Sequence, residues 1–148
     1  MDWNLLSDVT TQALAAALEG SAARHRAIAQ NLANIDTPGF IRSDLNFEQA
    51  LALALERARQ ATFARQATFA RQATFARQAP HRAFDLFASL PLRPQQDRSS
   101  PARADGNNVD VDREMVLLSR NALRYNAVEE ALAGRIRLLR AAIQEGRR

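Results

Sequence analysis

A row of residues in the C-terminal third that alternates steps of four and three constrains the fold of this chain more than any other feature. The row comprises Val111, Met115, Leu118, Ala122, Tyr125, Glu129, Leu132, Ile136, Leu139 and Ile143. Most members are apolar, and their spacing is that of helices that wind around one another. Asp110 is a candidate N-cap before the row, and Gly146 ends the helix after it. The pattern predicts a helix of roughly 35 residues, about 50 Å long, which suits a rod or a fibre.

A second row with the same spacing lies near the N-terminus, in a helix predicted from about Asp8 to Asn34 with Ser7 as N-cap. Its members are Leu14, Leu18, Ser21, His25, Ile28, Leu32 and Ile35. Neither helix can bury its row alone, so the two are expected to pair as an antiparallel hairpin. We call the main apolar members of both rows the assembly seam: Leu14, Leu18, Ile28, Leu32, Met115, Leu118, Tyr125, Leu132, Ile136, Leu139 and Ile143.

The rows define the register of this hairpin only up to a shift of one heptad. In one in-phase register the facing pairs are Ile35 with Val111, Leu14 with Leu132, Ser21 with Tyr125, and His25 with Ala122. Sliding the helices by a heptad gives another in-phase match. Glu129 within the row could specify the register, as lone polar residues sometimes do, or could face solvent. The sequence therefore leaves the register open.

The N-terminal helix runs into the stretch "NLANIDTPGF" at residues 31–40, which predicts a sharp stop. Pro38 disfavours helix at Thr37, and Pro38-Gly39 fits the centre of a type II turn, where glycine supplies a positive φ. Asn31 and Asn34 can satisfy late-helix carbonyls or a neighbouring chain. We call this segment the corner, and its predicted motif comprises Asn31, Asn34, Thr37, Pro38, Gly39 and Phe40.

The middle of the chain combines a third predicted helix, with Asn46 as a possible cap, and a tandem hexapeptide. "ARQATF" occurs at 58–63, 64–69 and 70–75, and a broken copy ends at His81. On a helix the repeated phenylalanines would point ~120° apart, which gives no apolar stripe. We interpret the tract as a local duplication on which nothing packs; a basic, aromatic-rich contact with nucleic acid is the alternative. The Pro- and Ser-rich connection from Pro80 to Asn108 is expected to be extended or mobile.

Composition and motifs argue against several classes of protein. The chain has 148 residues and no Cys, so it has no disulfide framework. No apolar run approaches the ~18 residues of a membrane span, and the N-terminal stretch lacks the basic start of a secretory signal. The two His lie far apart, and the acids Asp112 and Glu114 are explained by the helix dipole. We predict no catalytic, cofactor-binding or metal-binding residue, and an enzyme is a distant alternative.

The net charge of +4 points to nucleic acid only if the charge lies on a patterned helix. Residues 51–104 carry nine Arg against three acids, whereas residues 1–50 carry a net charge of −3 and residues 105–148 a net charge of +1. The basic character therefore belongs to the middle and not to the patterned ends. A basic coiled-coil adaptor or nucleic-acid-binding protein stays as the alternative function.

Motifs at both ends carry a family resemblance. "AIAQNLANIDTPGFIRSDLNF" at 27–47 resembles the signature A-x-N-x-A-N-x-x-T-x-G-[YF] of the flagellar axial proteins, the rod, hook and hook-associated families. "RSDLNF" at 42–47 and "DGNNVDVDREMVLLSRNALRYNAVEEAL" at 105–132 are similar to the two ends of the proximal rod family FlgB, although Asn46 replaces a more typical Asp. The resemblance covers roughly residues 10–56 and 105–146, and it excludes the repeat.

The resemblance implies a mainly α fold, in which long N- and C-terminal helices with heptad seams form a coiled-coil-like inner domain around a less ordered middle. The expected segments are an N-terminal axial helix (1–36), a turn and short helix (37–57), the repeat and Pro-rich connection (58–108), and a C-terminal axial helix (109–148).

It also implies a structural subunit of the proximal rod of the bacterial flagellar basal body, part of the drive shaft that transmits torque, and required for motility. The expected route is export by the flagellar type III apparatus to the periplasmic space, without a cleaved signal peptide. The expected partners are copies of the chain itself, other rod proteins, the rod-base adaptor and the export gate. Nucleic acid, a membrane span and cofactors are not expected.

Overall fold

The computed structural model describes residues 8–69, Phe87 and residues 90–145, with the backbone alone for residues 62 and 64–69. The elements along the chain are helix α1 (Val9–Ala33), strand β1 (Ser43–Asp44), helix α2 (Glu48–Phe69), strand β2 (Gln95–Gln96) and helix α3 (Val111–Glu145). A long helix lies toward each end, which confirms the predicted mainly α fold. The expectation of a less ordered middle falls largely on residues outside the described ones.

Helix α3 begins where the sequence predicts, whereas α1 begins one residue later than predicted, at Val9, with Asp8 and not Ser7 in the N-cap position. Asp8 precedes α1 in an extended conformation, with φ −63° and ψ 136°, while Ser7 lies outside the described residues. Asp110 caps α3, because its Oδ1 accepts hydrogen bonds from the N–H groups of Asp112 at 3.0 Å and Arg113 at 3.4 Å. Two of the four N–H groups that need partners at this end of α3 are thus supplied by the Asp110 side chain.

Helix α2 begins slightly later than predicted. The N–H of Leu51 donates to the carbonyl of Phe47 at 2.9 Å, which is the first helical hydrogen bond. Phe47 and not Asn46 therefore holds the cap position, and Asn46 is exposed. The shift places the Phe47 ring inside the protein, where it is 4% exposed.

Helices α1 and α3 pack against each other along their length. Asn31, near the end of α1, contacts Glu114 in the first turn of α3, and Ser21 contacts Asn121. Further on, Arg135 reaches the first turn of α1. Positions rise along one helix as they fall along the other, which confirms the predicted antiparallel pairing.

The face of α3 that packs on α1 is rotated by about one residue from the predicted row. The hydrogen-bonded positions on that face are Glu114, Asn121 and Arg135. Ser21 faces Asn121 and not Tyr125, while His25 and Ala122 are both exposed, so these two predicted facing pairs are wrong. The physical reason is that polar side chains on this face of α3 pair with α1, and apolar spacing in the sequence does not identify polar positions.

A face of small residues on α1 lets the next segments approach closely. It comprises Ala13, Ala16, Gly20, Ala23 and Ala27. Ala16 lies in a buried cluster with Ala54 and Phe87, and Ala23 lies in another with Leu45 and Phe47. A Cβ at Gly20 would be only 2.6 Å from Cε2 and 2.7 Å from Cγ of the Phe47 ring. Glycine is therefore the residue that this approach requires.

Within the described part of the hexapeptide tract, Ala58 contributes to the core. Helix α2 extends through its first two copies, and Ala58 is 1% exposed in the same buried cluster as Ala16. The expectation that nothing packs on the tract is therefore wrong at Ala58, which is small enough to fit against α1. Phe63, by contrast, is 72% exposed. The third copy lies outside the described residues.

The connection from residue 90 to residue 110 is non-helical and runs back along the corner. Strand β2 pairs antiparallel with β1, with Ser43 opposite Gln96 and Asp44 opposite Gln95. The N–H of Asp97 donates to the carbonyl of Arg42 at 2.8 Å and extends this pairing. The described part of the connection is thus extended, as predicted, and it lies against the segment that follows the corner.

Candidate functional site

The turn directly after α1 has the predicted geometry. Gly39 has a φ of +72°, and the N–H of Phe40 donates to the carbonyl of Thr37 at 3.2 Å across the turn. These are features of a type II turn with glycine in its third position, so the turn is confirmed. The Asn34 side chain donates to the carbonyl of Gln30 at 2.8 Å and satisfies one late carbonyl of α1, as predicted.

Asn107 holds the corner from the returning chain. Its side-chain amide donates to three corner carbonyls, those of Asn34, Ile35 and Thr37, at 2.9, 3.0 and 2.9 Å. Beside it, the N–H of Gly39 donates to the carbonyl of Asp105 at 2.8 Å. Asn107 is fully buried, and its Oδ1 accepts a hydrogen bond from the N–H of Val109 at 2.8 Å. The "DGNN" segment at 105–108 therefore pairs the backbone groups that the end of α1 leaves open.

Asn31 joins α1 to the strand beyond the corner. Its Oδ1 accepts a hydrogen bond from the N–H of Ser43 at 2.9 Å, and its amide donates to the carbonyl of Ser43 at 2.8 Å. The amide also donates to Oε2 of Glu114 at 3.1 Å. The prediction that Asn31 satisfies late carbonyls of α1 or a neighbouring chain is therefore wrong, because strand β1 and α3 within the same chain occupy its hydrogen bonds.

Arg42 lies at the centre of the network and is fully buried, as is its partner Glu114. Its Nε donates to Oε1 of Glu114 at 2.7 Å, and its Nη1 pairs with the carboxylate of Asp97. Its Nη2 is 3.9 Å from Oδ2 of Asp44. A buried guanidinium is tolerated only where carboxylates and hydrogen bonds compensate for lost water. Here α3, β1 and the residue after β2 supply the carboxylates, so one side chain joins three segments.

Asn108 and Asp97 complete the network. Asn108 accepts a hydrogen bond from the N–H of Arg42 at 2.7 Å and donates to the carbonyl of Asp97 at 2.7 Å. Hydrogen bonds from the Ser99 hydroxyl and N–H hold the pKa of Asp97 below its usual value. The positive charges of Arg42 and Arg113 act in the same direction, and burial opposes them. Asp97 is therefore ionised at neutral pH, as the pairing with Arg42 requires.

Sequence reasoning missed most of this network. The helix dipole accounts for the exposed Asp112 but not for Glu114, which is fully buried and paired with Arg42. Arg42 and Asn107 stand inside the quoted family motifs, but neither was assigned a role. The available signal was the position of Glu114 on the face of α3 that turns toward α1. We call Asn31, Arg42, Asp97, Asn107, Asn108 and Glu114 the corner network.

The structure places the predicted assembly seam at three levels of burial. Ile28 is buried, and Met115, Tyr125 and Ile143 are exposed at 49%, 36% and 40%. The half-buried members are Leu14, Leu18, Leu32, Leu118, Leu132, Ile136 and Leu139. The hairpin thus covers one side of the α3 row and leaves its other side open to solvent.

Comparison with known proteins assigns the fold and the corner to a family. No family model matches the chain. The chain is, however, 33% identical over 132 residues to the flagellar basal body rod protein FlgB of Escherichia coli (strain K12). The matched residues make up 88% of this chain and 89% of that protein. The chain belongs to the FlgB family. FlgB of Yersinia enterocolitica is 31% identical over 131 residues, 88% of this chain and 90% of the relative.

A further FlgB relative matches a shorter part of the chain. FlgB of Borrelia hermsii is 32% identical over 105 residues, 70% of this chain and 72% of the relative. As a FlgB family member the chain is a structural subunit of the flagellar basal body rod. This assignment favours the rod subunit over the basic adaptor. Among the residues that the structure describes, no helix combines the length and the apolar character of a membrane span.

Proposed function

We propose that this chain assembles with copies of itself and with other rod proteins into the proximal rod, as part of the drive shaft that carries torque to the hook and filament. The corner network is the joint of the subunit. It holds the α1–α3 hairpin at a constant angle to β1 and α2, so every copy presents the same shape to its neighbours.

One observation carries the proposal: α3 keeps an open apolar row after the hairpin has formed. Val111, Met115 and Ile143 are 43%, 49% and 40% exposed on the side of α3 that does not face α1. Burying a large apolar side chain is worth roughly 1.5–3 kcal/mol, so an exposed row of this length favours association. A rod of repeated subunits covers such a row in every copy.

The proposed export route and binding partners follow from the proposed role as a rod subunit. The chain reaches the periplasmic space through the flagellar type III apparatus without a cleaved signal peptide. It meets the export gate and the rod-base adaptor at the base of the rod, and other rod proteins above. The absence of Cys is compatible with an oxidising destination, because the fold is held by helix packing and the corner network.

The test separates the open row from the hairpin. Met115→Asp and Ile143→Asp place a charge on the open row without touching the corner network, and Arg120→Ala, exposed and off the seam, is the matched control. We expect both Asp variants to be exported and helical, with no rods in isolated basal bodies and no swimming, while Arg120→Ala swims normally. Intact rods in the Asp variants, or normal motility after deletion of the gene, would overturn the proposal.

A further inference from the structure

We propose that polar contacts between α1 and α3 select the register of the hairpin, a role separate from rod assembly and independent of the proposed position in the rod. We call these contacts the polar rungs: Asn31 with Glu114, Ser21 with Asn121, and the first turn of α1 with Arg135. They settle the choice that the apolar rows leave open.

Two of the three rungs combine close geometry with burial, and the third is partly exposed. The Asn31 amide donates to Oε2 of Glu114 at 3.1 Å, and both residues are fully buried. The Asn121 amide donates to the backbone carbonyl of Ser21 at 2.9 Å, with the two residues 4% and 3% exposed. At the open end of the hairpin, Nε of Arg135 donates to the Thr11 hydroxyl at 3.1 Å.

The rungs also share one row on α3. Glu114, Asn121 and Arg135 are separated by seven and fourteen residues, which is one and two heptads. Polar residues therefore occupy the heptad row that faces α1, where an ordinary coiled coil would carry apolar ones. A single buried Asn at such a position is known to specify register and to reduce stability.

A slide by one heptad would preserve the apolar rows and break the rungs. Asn121 would then lie opposite Leu14 or Ile28 in place of Ser21. The small Ser21 side chain lets the Asn121 amide reach the helix backbone, and a branched apolar side chain blocks that approach. An amide or carboxylate left buried without a partner is costly, whereas the buried apolar area changes little. The rungs therefore contribute to the energy difference between the registers, together with the Arg42–Glu114 pair of the corner network.

The chain has no Cys, so introduced pairs are the only thiols and can report the register directly. The in-register pair, placed one turn from the Ser21–Asn121 contact, is Leu18→Cys with Tyr125→Cys, and the pair shifted by one heptad is Leu18→Cys with Leu132→Cys. Each pair is oxidised in the dilute full-length protein, and the intramolecular crosslink is separated from dimers on a denaturing gel. With the rungs intact we expect the in-register pair to crosslink and the shifted pair to stay reduced.

The decisive variant is Asn121→Leu. We expect the shifted crosslink to increase about tenfold or more, because removing one buried hydrogen bond is worth roughly that factor. Ala122→Leu, the exposed neighbour, is the matched control and should leave the pattern unchanged. If Asn121→Leu crosslinks only in register, as the unmodified sequence does, the Asn121 rung does not select the register and the proposal is wrong.

A second variant tests the proposal even if Asn121→Leu does not fold. Exchanging the two side chains, Asn121→Val with Val128→Asn, keeps the composition and moves one rung along α3 by a heptad. We expect this exchange to favour the Leu18→Cys with Leu132→Cys crosslink over the in-register one, relative to the parent. An unchanged crosslink ratio in the exchanged protein would overturn the proposal.

Discussion

Arg42 shows how one side chain can connect three parts of a chain. It lies directly before β1, pairs with Glu114 in the first turn of α3, and pairs with Asp97 at the end of β2. Arg42 and Glu114 are fully buried, so neither of these two charges can turn to water when its partner is lost. The corner is therefore most sensitive to changes that remove one partner and leave the other in place.

Arg42→Met should lower the free energy of unfolding by about 3–5 kcal/mol, because Glu114 is left buried without its guanidinium. Urea denaturation followed by circular dichroism measures this difference. Adding Glu114→Leu to Arg42→Met should recover part of the loss, since both charges are then gone. Arg59→Ala is the control: its pair with Glu56 is 61% exposed on both sides and should matter by less than about 1 kcal/mol. Equal losses for Arg42→Met and Arg59→Ala would contradict the assignment.

Asp97 makes the corner sensitive to acid. Its pKa is lower in the folded protein than its usual value, so its contribution to stability is complete above that usual value, near pH ~4. The contribution is lost as the pH falls through the lower folded pKa. Urea midpoints measured between neutral pH and pH ~2.5 should therefore fall less steeply for Asp97→Asn than for the parent protein. Ser99→Ala should lie between them because it removes the largest stabilising hydrogen bond.

Gly39 is required for its backbone conformation and not for space. Its φ is +72°, yet no atom lies within 4 Å of the point where a Cβ would be. Gly39→Val should therefore cost on the order of 1–3 kcal/mol through strain alone, and we expect exported protein that does not assemble. Gly39→Asn should be milder, because Asn tolerates this region better than β-branched residues. Thermal unfolding and swimming assays of the two variants test the difference, and equal effects would refute the strain argument.

At the scale of elements, Gly20 in α1 faces a buried ring and Gly134 in α3 faces only the end of one side chain, so alanine at each position tests how closely its helix is packed. Gly20→Ala places a Cβ 2.6 Å from the buried Phe47 ring, so we expect a loss of about 1–3 kcal/mol from overpacking. Gly134→Ala meets only the flexible end of Arg137 at 3.7 Å and should gain up to about 1 kcal/mol of helix propensity. Chemical denaturation measures whether each variant has a lower or a higher free energy of unfolding than the parent protein. A stabilised Gly20→Ala would show that α1 and Phe47 are not in close contact.

The elements also show what the sequence could predict. The start of α3 at Asp110 and the type II turn at Gly39 depend on nearby residues, and these predictions are confirmed, whereas Gly146 lies outside the described residues. The facing rows of the hairpin depend on pairs far apart in sequence. Arg42 and Glu114 are 72 residues apart, and each reads as an ordinary surface charge on its own. The residues of the polar rungs do not appear in a pattern of apolar spacing. The row predicted on α3 therefore follows the apolar residues next to them and is rotated from the face that contacts α1.

At the scale of the whole molecule, the repeat tract begins with the buried Ala58, and its later copies can be deleted without removing that residue. Removing residues 64–75 deletes two copies and spares Ala58, so we expect near-normal export and swimming. Ala58→Arg should by contrast reduce stability, because it places a long charged side chain in a buried cluster. Swimming that stops in the deletion strain while export continues would show that the repeat makes a required contact in the rod.

The long reach of the corner network has a consequence for timing. Asn107 contacts carbonyls 70 to 73 residues earlier in the chain, and Arg42 and Glu114 are equally distant. A polypeptide that emerges N-terminus first cannot complete these contacts until its last third arrives, and closing so large a loop is slow. Until then the end of α1 keeps its carbonyls in water, and the Arg42 guanidinium stays hydrated. The joint that makes the finished subunit rigid is therefore also a built-in delay in its folding.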